Sequence, residues 1–285
     1  MLKKKDYSAL VRRALAEDLG AGFFRKGIDV TSSAIFSGKE KAVFTLIAKD
    51  DGVLCGIDPF EAVFRRLDRF ARVERYFEDG ARLKKGDIVA RVRGRLTAIL
   101  SGERTALNLV SHLSAVATKA QAFASALGGK PAILDTRKTI PGMRVLQKYA
   151  VKTGGAQNHR IGLFDMVLIK DNHVDAAGGV KAAVARARKR WGKKFKIEVE
   201  TRTLNEVAEA IESKADRIML DNMDNATMKK AVALVAGRAE TEASGNMTLE
   251  RLASLADTGV DFVSFGELTH TVKVFDFSLK EESCE

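Results

Sequence analysis

From Lys130 onward the chain repeats one pattern: a short buried apolar run, then a one-sided helical segment too short to stand alone. The runs fall at 132–134, 166–169, 196–199, 217–220, 241–243 and 262–265, with helical segments such as 204–213, 226–236 and 249–258 between them. Short amphipathic helices need a sheet to cover, and strands joined through helices run parallel. Six strands fall short of the eight of a closed barrel, so the pattern predicts an incomplete parallel α/β barrel over 129–285. Residues 1–128 predict a smaller N-terminal α/β domain of helices and an open sheet with a hairpin, ending in a connecting helix. The C-terminal tail is free to pack back on it.

Within the first domain, Tyr7, Leu10, Val11, Ala14 and Leu15 share one face of a helix over 6–19. Strands follow at 41–49 and 53–55, then a helix with Asp58 as N-cap and Pro59 in its first turn. Further strands at 71–77 and 88–92 flank a structural hairpin over 79–87. The long helix over 97–127 carries candidate breaks at Gly102 and Ser114, and His112 on it reads as a hydrogen-bonded packing residue.

Chemistry concentrates at the ends of the barrel strands. Lys138, Lys170, Glu200, Asp221, Ser244-Gly245-Asn246 and Phe265-Gly266-Glu267 follow successive strands, and the carboxyl ends of barrel strands are where such folds place ligands. Glycine-containing turns there let backbone N–H groups approach a phosphate. The densest stretch is 133–173, where Thr136, Arg137, Lys138, His159, Arg160 and Lys170 surround two apolar strands; so many cations are not core. Pro141-Gly142 makes a turn, 143–153 a helix, and Gly154-Gly155 its stop. Two alternatives stand beside the site reading. Glu200 and Asp221 could pair with Lys170 and Lys138 as a structural network, and His159 could be a satisfied loop histidine.

Bulk properties bound the partners. The 285 residues are 46% apolar, enough for one large or two modest cores, and no stretch approaches a bilayer span. The start, Met1-Leu2-Lys3-Lys4-Lys5-Asp6, lacks an apolar signal region, so a cytoplasmic enzyme is expected. Cys55 and Cys284 have no metal-ligand spacing and read as plain thiols. A net charge of +11 calls for acidic partners. The basic run 186–194 closes an Ala-rich helix, where cations favour the dipole, so neither nucleic acid nor membrane is expected.

An ordered set of blocks resembles quinolinate phosphoribosyltransferase, also called nicotinate-nucleotide pyrophosphorylase (carboxylating). The blocks are Glu103-Arg104-Thr105-Ala106-Leu107-Asn108, Asp135-Thr136-Arg137-Lys138-Thr139, Lys148-Tyr149-Ala150-Val151, Asn158-His159-Arg160, Leu168-Ile169-Lys170-Asp171-Asn172-His173, Glu198-Val199-Glu200, Met219-Leu220-Asp221-Asn222 and Glu242-Ala243-Ser244-Gly245. They cover nearly the whole chain in order. The sequence departs from the family at 21–27, which relatives join more tightly.

The resemblance implies phosphoribosyl transfer from phosphoribosyl pyrophosphate to quinolinate with decarboxylation, giving nicotinate mononucleotide, with Mg²⁺ as cofactor. By that likeness Arg137, Lys138, His159 and Arg160 clamp the two carboxylates, Lys170 binds phosphate, and Glu200 and Asp221 hold ribose hydroxyls and the metal. Lys138, Lys170, Glu200 and Asp221 are the expected catalytic set. Substrates of roughly −5 and −2 with one Mg²⁺ leave about −5, against five cations in Arg104, Arg137, Lys138, Arg160 and Lys170. A homodimer, or a higher oligomer built from it, is implied, with Arg104 donated across the interface. A paralogous phosphoribosyltransferase would alter the clamp, and a nucleic-acid-binding protein would not need paired Glu200 and Asp221.

Overall fold

A computed structural model of the chain describes residues 2–20, 27–127, 131–245 and 249–282. Its elements run α1 (Lys4–Asp18), α2 (Val30–Ile35), β1 (Lys41–Ala48), β2 (Gly52–Val53), α3 (Ile57–Leu67), β3 (Arg72–Arg75), β4 (Arg82–Leu83), β5 (Ile88–Arg95) and α4 (Leu96–Ala126). Then come β6 (Ala132–Leu134), α5 (Arg144–Thr153), β7 (Val167–Ile169), α6 (Asp171–Ala177), α7 (Val180–Trp191), β8 (Ile197–Thr201), α8 (Leu204–Glu212) and β9 (Arg217–Asp221). The last are α9 (Asn225–Val235), β10 (Glu240–Ser244), α10 (Leu249–Leu255), β11 (Phe262–Ser264), α11 (Glu267–His270) and β12 (Phe277–Glu281). Among the described residues no helix is long and apolar enough to cross a membrane.

The chain forms two compact units. One comprises Met1–Gln121, Ile140–Gly155 and Thr271–Glu285, the other Ala122–Thr139 and Ala156–His270. A single cut near residue 128 does not describe this division, because α5 and the tail belong to the first unit. The ties of α5 explain its place: Gln147 Nε2 meets His112 Nε2 on α4 at 2.9 Å, and the Tyr149 hydroxyl donates to Asp79 at 2.9 Å. Burial lowers the pKa of His112, as its packing role requires.

In the first unit an antiparallel sheet runs β12-β1-β5-β3. The tail enters it as β12, which pairs with β1 from Phe44↔Glu281 to Ala48↔Phe277 and buries Phe277 and Leu279. The helix α3 buries Ile57, Phe60, Val63 and Phe64, aromatic and aliphatic positions spaced for one face.

Two local expectations are corrected. Asp58 is not the N-cap: α3 begins at Ile57, and Asp79 accepts the N–H groups of Gly56 at 2.8 Å and Ile57 at 3.0 Å, leaving Asp58 to pair with Arg75 at 2.8 Å. Nor does α4 break. A Cβ at Gly102 would press on Leu67 and Val63 at 3.1 Å, so that glycine permits close packing, while the Ser114 hydroxyl accepts the N–H of Cys55 at 2.9 Å.

The second unit is a six-stranded parallel sheet in the order β6-β11-β10-β9-β8-β7, with helices between successive strands. The sheet does not close: β6 and β7 are its edges. Gln157 bridges Leu134 beside β6, so the chain returning from α5 brings 158–160 level with the strand ends. The apolar strand cores, Ile133, Ile169, Val199, Leu220, Ala243 and Val263, are buried. Residues 21–26, Asn246 and Cys284 lie outside the described residues, so the departure from the family at 21–27 has no structural account beyond Gly27.

Candidate active site

Alternation along the strands decides which side chains share a face. Glu198 and Glu200 on β8, Arg217, Met219 and Asp221 on β9, and Glu242 and Ser244 on β10 are each two residues apart. The register aligns Glu198 with Arg217, Glu200 with Met219 and Glu242, and Asp221 with Ser244. The result is layered. Asp221 and Ser244 stand at the strand ends, Glu200 and Glu242 one step below, and Glu198 and Arg217 lower still.

Over these layers opens a cavity of about 590 Å³. Thr136, Arg137, Lys138, His159, Arg160 and Lys170 line it together with Glu200, Asp221, Ser244, Gly245, Phe265, Gly266 and Glu267. Met219, Asn222, Glu242, Ser264 and His270 also line it, and the reading of the strand ends did not find them. The signal was available for three of these: each of Met219, Glu242 and Ser264 lies two residues before a strand-end residue that was singled out. Asn246 is outside the described residues. Arg104 is exposed on α4 in the first unit and is not among the residues lining this cavity.

The cationic wall is built from β6 and the returning segment. Asp135, fully buried, accepts the His159 N–H at 2.9 Å and the Asn158 amide at 2.7 Å, fixing 158–160 against the end of β6. Arg160 Nη1 donates to the Met166 carbonyl at 3.3 Å. Burial, then the charge of Arg137, lowers the pKa of Arg160. Two like charges that oppose each other in this way favour an anion at the wall.

The acidic side is organised around Lys170, whose Nζ lies 3.5 Å from Glu200. This half of the structural pairing weighed from sequence is present. Burial raises the Glu200 carboxyl above its ordinary range, and Asp221 and Asp171 raise it further against the lowering effect of Lys170. Asn222, at φ 54°, donates its amide to Asp221 at 2.7 Å and its backbone N–H to Ser244 at 3.0 Å. A Cβ on Gly245, itself at φ +89°, would overlap that Asn222 amide, so the turn requires glycine. His173 is structural: its Nδ1 accepts the Lys170 N–H at 2.9 Å at the start of α6.

Glu242 at the cavity wall and Glu198 below it are fully buried. His159 Nε2 lies 2.9 Å from Glu198 and 3.5 Å from Glu242, and Arg217 reaches Glu242 at 3.1 Å and Glu240 at 2.9 Å. Burial and the neighbouring Glu242 push the Glu198 carboxyl up to about 7. Burial opposes ionisation of Glu242 too, but His159 and Arg217 outweigh it and lower its pKa. For His159, burial favours the neutral ring, while hydrogen bonds and charge from Glu198 and Glu242 favour the protonated one.

A family model for the N-terminal domain of quinolinate phosphoribosyl transferase matches residues 29–114, and one for its C-terminal domain matches 116–280. The chain belongs to the quinolinate phosphoribosyltransferase family. It is 43% identical over 294 residues to a chloroplastic nicotinate-nucleotide pyrophosphorylase [carboxylating] of Oryza sativa subsp. japonica, covering 96% of this chain and 77% of that one. A probable nicotinate-nucleotide pyrophosphorylase [carboxylating] of Bacillus subtilis is 40% identical, covering 95% and 91%. The crystal structure of NadC from Streptococcus pyogenes superposes with a TM-score of 0.93 at 37% identity, covering 99% of each chain. The Francisella tularensis enzyme gives 0.92 at 36%, covering 99% and 98%. Both solved structures match the fold over nearly the whole of this chain.

Proposed function

We propose that the cavity transfers the phosphoribosyl group of phosphoribosyl pyrophosphate to the ring nitrogen of quinolinate, releasing pyrophosphate and carbon dioxide and giving nicotinate mononucleotide for NAD synthesis. Family membership supports this reading. The observation that carries it to this chain's residues is the division of one cavity into a cationic wall, Arg137, Lys138 and Arg160, and an acidic strand-end pair, Glu200 and Asp221.

Quinolinate carries two adjacent carboxylates. Arg137 and Arg160 each present a planar fork that pairs with a carboxylate, and an anion between them relieves their mutual repulsion. Lys138 and Thr136 complete that wall, which turns the ring nitrogen toward the anomeric carbon. Lys170 and the backbone of the Ser244-Gly245 and Gly266 turns hold phosphate. As the glycosidic bond to pyrophosphate breaks, positive charge develops on the ribose, and Glu200 and Asp221 stabilise it. Once the ring nitrogen is bonded to ribose and cationic, it stabilises the electron pair that departing carbon dioxide leaves on the adjacent ring carbon, and that carbon then takes up a proton from solvent, so no residue serves as a dedicated base.

Glu200 and Asp221 also fit Mg²⁺: they offer hard carboxylate oxygens, and the charge of Asp221 raises the Glu200 pKa, a repulsion that a divalent cation offsets. When bound, the metal neutralises phosphate charge on the leaving pyrophosphate. Arg104, exposed on α4, serves the site of a second copy of the chain, so the working unit is a homodimer. Incubation with quinolinate, phosphoribosyl pyrophosphate and Mg²⁺ tests the reading. Nicotinate mononucleotide and pyrophosphate in equal amounts are expected, and absence of product from folded protein overturns it.

A further inference from the structure

His159 stands in the cationic wall, but its ring makes contacts that a cation facing substrate would not make. Its Nε2 points at the buried carboxylates, 2.9 Å from Glu198 and 3.5 Å from Glu242. Its Nδ1 accepts the backbone N–H of Arg160 at 2.7 Å. An imidazolium carries a proton on each nitrogen, and two N–H groups cannot face each other at that distance. The carboxylates favour the charged ring, and the Arg160 N–H opposes it. The hydrogen bond to Nδ1 decides between them, because Glu242 already has a cation in Arg217 at 3.1 Å. The three groups His159, Glu198 and Glu242 place ligand atoms within 4.8 Å of one another, a spacing open to a metal ion, but Arg217 supplies the positive charge there.

We propose that His159 is a neutral positioning residue, held as the Nε2–H tautomer by the buried Glu198–Glu242 pair and Arg217, and that its Nδ1 fixes the Arg160 backbone where the guanidinium meets a quinolinate carboxylate. The charged groups facing His159 include Glu198 from β8, Arg217 from β9 and Glu242 from β10, and Asp135 after β6 accepts the His159 backbone N–H at 2.9 Å. His159, Glu198, Glu242 and Arg217 thereby act on the substrate through Arg160.

The inference rests on the quinolinate reading of the cavity, and its two tests separate the two. The first needs no turnover. In the full-length protein labelled with ¹⁵N-histidine, the His159 resonances, assigned by their loss in His159→Asn, are expected to show one protonated and one bare ring nitrogen at pH 7. Two protonated nitrogens overturn the proposal. The second test uses the hydrogen-bonding geometry of substitutes. Asparagine offers an oxygen near the place of Nδ1, whereas alanine offers nothing. His159→Ala is expected to raise the KM for quinolinate about tenfold, the effect of one lost hydrogen bond, with the KM for phosphoribosyl pyrophosphate little changed. His159→Asn is expected to recover most of that loss. If asparagine is as damaging as alanine, or if both substrates weaken alike, the ring does not act through the Arg160 N–H. Glu242→Gln tests the support, with a selective rise in quinolinate KM expected and an unchanged value counting against it. Wild-type protein that makes no nicotinate mononucleotide would remove the quinolinate reading while leaving the nitrogen measurement interpretable.

Discussion

Burial and the charge of Arg137 both oppose the charge of Arg160, and that opposition is expected to set the selectivity of the cavity. A dianion with adjacent carboxylates meets both forks, while nicotinate, with one carboxylate, forgoes a charge-assisted pair. Loss of one charge-assisted hydrogen bond costs about 1.5–3 kcal/mol, so kcat/KM for nicotinate is expected to lie about 10–100-fold below that for quinolinate. Comparable turnover of the two acids would sink the clamp. The two sides of the cavity are expected to separate by ligand as well. Arg160→Ala should weaken quinolinate binding about tenfold or more and spare phosphoribosyl pyrophosphate, whereas Asp221→Ala should impair Mg²⁺-dependent turnover; calorimetric titration of each ligand into each variant checks this. Equal losses for both ligands in both variants would count against separate subsites. Strand-end residues such as Lys170 and Asp221 were legible in the sequence because polarity there interrupts an apolar run. Glu198, Glu242 and Arg217 lie within strands rather than at their carboxyl ends, so the same rule does not reach them. Only their register in the parallel sheet shows them offsetting one another at and below the cavity wall.

Asp79 shows how one side chain organises several elements of the first unit. Its carboxylate caps α3 through the N–H groups of Gly56 and Ile57 and accepts the Tyr149 hydroxyl from α5. Burial nevertheless dominates, and its pKa is raised above the ordinary 3.8. The folded protein therefore holds this proton more tightly than the unfolded chain does. Stability from this group is present below the ordinary value and falls as pH rises through the raised one. Asp79→Asn keeps an acceptor for the cap and cannot titrate, so the stability difference between wild type and variant should change across that window, with wild type losing ground as pH rises. Urea denaturation at pH 4–7 measures it, and a difference independent of pH would contradict the burial argument. Tyr149→Phe should cost about 0.5–1.5 kcal/mol, the value of one hydrogen bond. The α3 start was misplaced by sequence reasoning because its capping group is Asp79, remote in sequence, rather than Asp58. The six parallel strands were readable because each apolar run sits between helical segments of the expected period. The assignment of α5 to the first unit was hidden for the same reason as the cap: its partners, His112 and Asp79, are remote in sequence.

At the scale of the whole molecule the unresolved charge is Arg104, exposed on α4 while the cavity of the second unit is lined by other residues. A two-fold dimer in which each α4 serves the other chain gives that arginine a use, and isologous symmetry makes the exchange reciprocal. Arg104→Ala and Lys170→Ala are each expected to be nearly inactive as homodimers. Mixed dimers, formed by denaturing and refolding the two together, would contain one site with an intact Lys170 and an intact donated Arg104, and one site with both defects. Random pairing puts half of all dimers in the mixed class with one good site of two, so activity should return to about a quarter of wild type. If Arg104 served its own chain, every site would keep one defect however the chains were paired. Mixed dimers confirmed by mass yet without recovered activity would place Arg104 in its own subunit's site or remove it from the reaction.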